Sequence, residues 1–231
     1  QTLRSVRDEQ AVKDFLAQVH TEAGSDVALF VEPKFDGLSV EVVYENGRLA
    51  RASTRGDGET GEGISHTLRT VRALPLRLKD SDRLPHELAV RGEALLPKRS
   101  FQKVNRARVE RGERPFANPR NATAGILRRF DPSEAEEIRF AVTFYDASGI
   151  GPEDAPTQAA LLDRFETLGL PVIGRHRRCR TLAEVREFHD SLAAERDDLA
   201  YEIDGIVMKL DNLARRDDIG TRASNPRWAL A

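Results

Sequence analysis

Leu38, Val40, Val42 and Tyr44 alternate with their neighbours, and the run ends at Asn46-Gly47. A period of two belongs to a strand with one buried face. Asn-Gly suits a two-residue type I′ turn, which needs positive φ at both positions. Residues 48–54 are therefore predicted to return as the antiparallel partner. Few features constrain a fold more, because a hairpin fixes strand direction and register together.

The rest of the chain repeats that theme with helices between the strands. Further strands are predicted over 27–32, 88–96, 139–146 and 202–210, with Arg91 and Glu93 on one face of the second. Val12, Phe15, Leu16 and Val19 recur at helical spacing within 8–20. Pro97 and Ser100 open a basic helix, 116–121 is irregular, and a short helix is expected over 122–130. Residues 147–156 form a Gly/Pro-rich connector. Thr157 can cap a helix through Leu168, with Gly169 as its stop. Thr181 and Glu184 make a capping box for another. Grouped hairpins with intervening helices predict an α+β fold with antiparallel sheets, not a doubly wound parallel sheet.

The 36 basic residues comprise six lysines and thirty arginines. Such a composition would place Arg wherever charge alone was needed. Arg stays protonated, whereas a Lys amine can lose its proton and act as a nucleophile. Two of the six lysines lie in Lys34-Phe35-Asp36-Gly37 and Asp204-Gly205-Ile206-Val207-Met208-Lys209. Glu32, Asp36, Glu93 and Asp204 are carboxylates on or beside apolar strands, where acids are rare unless paired or coordinating. Arg55, Arg91, Arg120, Arg128 and Lys209 are candidate partners for phosphate oxygens. A nucleophile among carboxylates, cations and a metal is equipment for phosphoryl or nucleotidyl transfer. Neither a Gly-x-x-x-x-Gly-Lys-Ser/Thr loop nor a Gly-x-Gly-x-x-Gly fingerprint is present.

Net charge is −2, with 39% hydrophobic and 32% charged residues. No apolar run approaches the roughly 20 residues of a membrane span. Cys179 is the single cysteine, which excludes an internal disulfide and a cysteine zinc site and fits a reducing cytoplasm. Residues 98–129 hold ten basic residues and two acids. Arg99, Lys103 and Arg106 fall on one helical face suited to a polyanion. Arg175-His176-Arg177-Arg178-Cys179-Arg180 reads as a solvated loop.

Six blocks then carry a resemblance. They are Glu32–Gly37, Thr54–Glu62, Val90-Arg91-Gly92-Glu93, Phe116–Arg128, Glu202–Lys209 and Pro226-Arg227-Trp228-Ala229. In this order they resemble the adenylation (nucleotidyltransferase) domain of bacterial NAD-dependent DNA ligases, over nearly the whole length. Phe116-Ala117-Asn118-Pro119-Arg120-Asn121 is the most specific block. The resemblance implies a ligase nucleotidyltransferase fold, ATP-grasp-like, with antiparallel sheets flanked by helices around a nucleotide cleft. It implies that Lys34 attacks the α-phosphorus of NAD, releases nicotinamide mononucleotide and carries AMP to the 5′-phosphate of nicked double-stranded DNA in replication and repair.

By the same resemblance Glu32 reads the adenine and Arg55 lies near ribose or phosphate. Glu93 binds the nucleotide and belongs to the metal shell, and Lys209 neutralises the α-phosphate. Asp36, Gly37, Arg120, Arg128, Arg196 and Asp204 support phosphate or DNA. Asp36, Glu93 and Asp204 are the candidate ligands for Mg²⁺ or Mn²⁺, and zinc belongs to a domain outside this chain. Expected besides are a monomer, no membrane partner, and a bacterial cytoplasm with nucleoid association. An ATP- or GTP-using relative and a non-catalytic nick-binding module are the alternatives.

Gly63 stands where the family usually has Asp. Residues 1–24 read as a helical lead-in from a preceding N-terminal domain and 25–231 as the adenylation domain. The last motif lysine and the downstream DNA-binding domains are expected beyond Ala231, so the chain reads as a piece of a longer protein.

Overall fold

The structure is a computed structural model that describes residues 3–56, 61–129, 131–172, 174–222 and 225–231. In chain order its elements are α1 (Glu9–Ala23), β1 (Leu29–Phe35), β2 (Leu38–Glu45), β3 (Arg48–Thr54), α2 (Ser65–Leu68), β4 (Glu87–Leu95), α3 (Lys98–Glu110), α4 (Pro119–Leu127) and α5 (Ser133–Glu137). Then follow β5 (Ala141–Ser148), α6 (Gln158–Leu168), β6 (Arg177–Cys179), α7 (Leu182–Ala194), β7 (Ile203–Leu210), α8 (Ala214–Ile219), β8 (Thr221–Arg222), β9 (Asn225–Pro226) and β10 (Ala229–Leu230).

Two four-stranded sheets result, in the orders β10-β7-β1-β6 and β3-β2-β4-β5. Their strand pairings are antiparallel, as the α+β expectation requires. The β2–β3 turn has φ of 49° at Asn46 and 71° at Gly47, the positive values that Asn-Gly tolerates best. Asp36 and Gly37 carry the chain from the first sheet into the second.

Each sheet has its own interior. Val40, Val42 and Tyr44 of β2, Val90 of β4 and Phe144 of β5 pack with Leu161, Leu162, Phe165 and Leu168 of α6. The Thr157 hydroxyl caps α6, and Gly169 ends it in the left-handed region. The wholly buried Phe165 is the keystone of that helix face; Phe165→Ala is worth about 3–5 kcal/mol. The second interior gathers Phe15, Leu16, Val19 and Ala23 of α1 with Leu29 and Val31 of β1. Val185, Phe188 and Leu192 of α7 complete it. The lead-in helix therefore shares a core with β1 and β7, and packing does not divide the chain at 24/25.

β1 is the strand common to both interiors. Leu29 and Val31 enter the second core, whereas Phe30 enters the first. Glu32 and Lys34 follow Phe30 at the same parity and so project from its face.

Two elements depart from expectation. Residues 175–180 are not a solvated loop, because β6 pairs with β1 through Leu29↔Cys179, Phe30↔Arg178 and Val31↔Arg177. Arg177 pairs with Glu187, Arg178 with buried Asp211 at 2.6 Å, and Cys179 is buried. The short helix starts earlier than expected, at Pro119, since Asn118 accepts the N–H of Asn121 at 2.7 Å and Pro119 fills the first turn. Its expected end at Phe130 lies outside the described residues, as do Asp57 to Thr60 of the Thr-Arg-Gly-Asp-Gly block.

Candidate functional site

Two strand bulges build the cleft. Pro33 pairs with Ile206 but Phe35 pairs with Ile203, so β7 carries an extra residue opposite Lys34. Gly205, at φ 137°, sits in that bulge, a backbone state that L side chains rarely adopt. Residues five apart on a regular strand face opposite ways. The bulge breaks that alternation and lets Asp204 and Lys209 serve one face. A second bulge leaves Tyr145 unpaired, because Arg91 pairs with Asp146 and Gly92 with Phe144.

At one end of the cleft, Lys34 Nζ donates to both oxygens of Asp204, at 2.8 and 2.7 Å. The pair is open to solvent, with side chains 29% and 44% exposed. Arg120 donates to Asp36 Oδ1 at 3.2 Å, and the Asp36 N–H is held by Glu202 O at 2.9 Å. Gly37 lets β2 close against β4: an added Cβ would lie 2.4 Å from Ala94 O and 2.8 Å from Glu93 Cγ.

Glu93 faces Ser39 across the β2–β4 pairing. Burial pushes its carboxyl up to about 7, opposed by a hydrogen bond from Ser39 and by the charges of Arg120, Lys34 and Arg55. Those influences place Glu93 in the same electrostatic field as the lysine.

The other end is closed. Lys209 Nζ meets Glu32 Oε1 at 2.5 Å, with side chains 7% and 15% exposed. It also lies 4.8 Å from the centroid of the Tyr145 ring. The contact to Glu32 lacks hydrogen-bond geometry, and the buried ammonium has no hydrogen-bond partner among the described residues. Burial also pushes the Tyr145 phenol up, with Glu93 adding to the effect, while Ser39 Oγ lies 3.1 Å from its oxygen.

The Phe116–Arg128 block explains itself in these terms. Asn105 brackets Phe116 by accepting its N–H at 2.8 Å and donating to its carbonyl at 3.0 Å. Phe116 stacks under the Arg108 guanidinium at 4.2 Å. Gly125 gives its ring room, since a Cβ there would meet it at 2.8 Å. The anchored turn then presents Arg120 from the first turn of α4 toward Asp36.

The sequence-predicted residues are thus divided. Lys34, Asp36, Glu93, Arg120 and Asp204 gather at the open end, and Arg55 acts there through its charge. Lys209 does not join them. It stands opposite Phe30 in register, four residues from Lys34 and roughly 13 Å along the strand. Its position is beside Glu32, at the closed end of the cleft, not beside Lys34.

Arg128 pairs with Glu62 at 3.1 Å. Arg91 is spent on Glu41 and Asp146, each at 3.0 Å, and on Ser148, which makes it a structural cation and not a phosphate ligand. Arg196 lies exposed in the turn after α7, where its carbonyl accepts from Lys98 Nζ at 2.8 Å; among the described residues no hydrogen bond or ion pair joins its side chain to the cleft.

Among the described residues no group of three or more His, Cys, Asp or Glu converges to hold a metal ion. Of the candidate metal ligands, Asp36 is paired with Arg120 and Asp204 with Lys34, so the three carboxylates do not converge. An added Cβ at Gly63 meets nothing within 4 Å, so packing does not demand glycine there. Sequence reasoning missed Tyr145 and Ser39. Tyr145 owes its place to a bulge that strand periodicity cannot announce, and Ser39 to a cross-strand register.

A family model described as NAD-dependent DNA ligase adenylation domain matches residues 2–231. The chain is 44% identical over 230 residues to the DNA ligase of Bacillus licheniformis, covering 100% of this chain and 34% of that protein. It is 45% identical over 227 residues to the DNA ligase of Haloarcula marismortui, covering 97% of this chain and 32% of that one. The chain spans about a third of the length of these relatives. Among solved structures, an archaeal ATP-dependent RNA ligase superposes with a TM-score of 0.52 at 15% identity, covering 100% of this chain and 46% of that chain; this shares the fold alone. The chain belongs to the family of NAD-dependent DNA ligase adenylation domains.

Proposed function

We propose that, as a member of the NAD-dependent DNA ligase adenylation family, this chain is the self-adenylating core of a DNA ligase. Lys34 Nζ attacks the α-phosphorus of NAD. A P–N bond forms, the P–O bond to nicotinamide mononucleotide breaks, and that group leaves as a phosphate monoester. Asp204, on both sides of the ammonium proton, takes the proton that the amine must lose. AMP then passes to the 5′-phosphate of a nick, and the 3′-hydroxyl displaces it. One observation carries this reading: a lysine on β1 is held by a carboxylate that the β7 bulge brings to its face, in a cleft whose far end is a buried Glu32–Lys209 pair under Tyr145.

Glu32 accepts from the exocyclic amine of the adenine, with Lys209 beside it. Arg55 and Arg120 meet ribose and phosphate, while Arg128 and Arg196 act on DNA after leaving their present surroundings. A Mg²⁺ ion commonly uses one or two carboxylates together with phosphate and water; Glu93 would be the carboxylate to hold it here, and the ion would supply positive charge to the phosphate oxygens.

Nicked duplex DNA is the macromolecular partner. Arg99, Lys103 and Arg106 lie exposed on α3 without an ion pair among the described residues, ready to displace counterions from phosphate. The enzyme works as a monomer in the bacterial cytoplasm, at the nucleoid. No helix among the described residues is long and apolar enough to cross a membrane.

Intact-mass spectrometry after incubation with NAD or with ATP tests the chemistry. An adenylate adduct from NAD is expected, absent in Lys34→Ala. Label from ATP alone would move the chain to the ATP-using relatives, and no label from either would favour a non-catalytic nick-binding module.

A further inference from the structure

Gln158 and Arg216 are buried polar residues, 0% and 7% exposed, with no part in the chemistry above. Gln158 opens α6 and Arg216 lies in α8. Gln158 Nε2 donates to Tyr145 O at 2.8 Å. Its Oε1 accepts from Arg216 Nη2 at 2.8 Å. Arg216 Nε donates to Leu210 O, again at 2.8 Å. The Gln158 N–H also donates to Asp211 O at 2.8 Å. The Trp228 ring backs the guanidinium at 4.4 Å.

This chain of hydrogen bonds joins two strands that share no ladder. Tyr145 is on β5, an edge of one sheet, and Leu210 is on β7, inside the other. Tyr145 and Lys209, the neighbour of Leu210, are the residues whose side chains face each other at 4.8 Å. Sheet pairing sets no distance between them, whereas the Gln158–Arg216 link does. Burial pulls the guanidinium down to about 10, so it stays charged at neutral pH. A buried charge with half its partners missing is costly, which makes the link all-or-none.

We propose that Gln158 and Arg216 form a buried strap that fixes the spacing between the Tyr145 ring and the Glu32–Lys209 pair and thereby selects the base of the incoming nucleotide. The inference rests on the reading of this end of the cleft as the base-reading end. Adenine presents an amine to the Glu32 carboxylate, and hypoxanthine presents a carbonyl oxygen that the carboxylate repels. Discrimination then depends on where Glu32 and Lys209 stand relative to the ring. Both strap residues are positioning residues, since neither faces the nucleotide.

Calorimetric titration with AMP and with IMP measures that discrimination without requiring Lys34 to react. Gln158→Leu keeps the volume and removes the link. Gln158→Glu keeps an acceptor for Arg216 but turns an oxygen toward Tyr145 O, and it decides the matter where the leucine variant does not fold. Val185→Ala, in the other core, is the control for lost stability alone. Both Gln158 variants should bind AMP about tenfold more weakly while IMP changes little, so the AMP/IMP ratio shrinks; Val185→Ala should keep the wild-type ratio. An unchanged ratio in the Gln158 variants, an equal loss in the control, or a wild type that does not prefer AMP overturns the strap.

The NAD adduct at Lys34, followed in parallel, reports on the parent reading separately. A missing adduct with a shrunken ratio leaves the strap standing without the ligase chemistry. An adduct with an unchanged ratio does the reverse.

Discussion

The two ends of the cleft use the same chemical parts in opposite ways. Each has a lysine against a carboxylate. At the closed end the Glu32–Lys209 pair is 15% and 7% exposed, whereas at the open end the Asp204–Lys34 pair is 44% and 29% exposed. A buried pair is expensive to break, because the survivor is left charged and unsolvated. An exposed pair gains little and parts easily. The difference teaches how one cleft can hold both a rigid pair and a labile one: on the proposed chemistry the first stays fixed to recognise the base, and the second lets go of its partner to react.

The sharpest way to break this comparison is at the nucleophile. Lys34→Arg retains a cation for Asp204 but cannot supply an uncharged nitrogen. NAD-dependent adduct formation should fall by a factor on the order of 10⁴ or more, and an adduct on the arginine variant would remove the amine from the mechanism. Next comes stability at the closed end. Glu32→Ala strands Lys209 in the interior and should cost about 3–5 kcal/mol in denaturant unfolding. A loss no larger than that of an average surface mutation would mean that the closed end is wet.

Glu93 tests the boundary between the two ends by pH. Its carboxyl stands at about 7 against an ordinary 4.5, so the folded protein holds that proton more tightly than the unfolded chain does. Its contribution is fully present below about 4.5 and is lost as the pH rises through 7. Glu93→Gln should therefore be more stable than wild type by about 3 kcal/mol at pH 8 and nearly equal at pH 4, read from urea midpoints. A pH-independent difference would assign Glu93 an ordinary solvated environment. The smallest effect belongs to the open pair: Asp204→Asn should change unfolding free energy by less than about 1 kcal/mol while slowing adduct formation. A stability loss as large as that of Glu32→Ala would erase the contrast.

Local chemistry was well written in the sequence. Asn46-Gly47 announces its turn, and Thr181 with Glu184 forms the capping box in full. These signals need only a few adjacent residues. The misreadings occur where a distant partner decides. β6 is three residues of mostly charged sequence, and only pairing with β1 makes it a strand. Arg91 looks like a phosphate ligand until Glu41 and Asp146, brought alongside by β2 and β5, consume it. Lys209 sits in the same motif as Asp204, yet its register with Phe30, four residues along β1 from Lys34, puts it at the other end of the cleft. Gln158 carries no motif at all, because its meaning lies in bridging Tyr145 to Arg216.

β1 belongs to both interiors, with Leu29 and Val31 in one and Phe30 in the other. The lysine is thus tuned by two separately packed halves of the molecule, like a string stretched between two posts. Loosening either post with mild heat or urea would put the note out of tune while most of the helices were still intact, so inactivation should run ahead of the loss of far-ultraviolet circular dichroism.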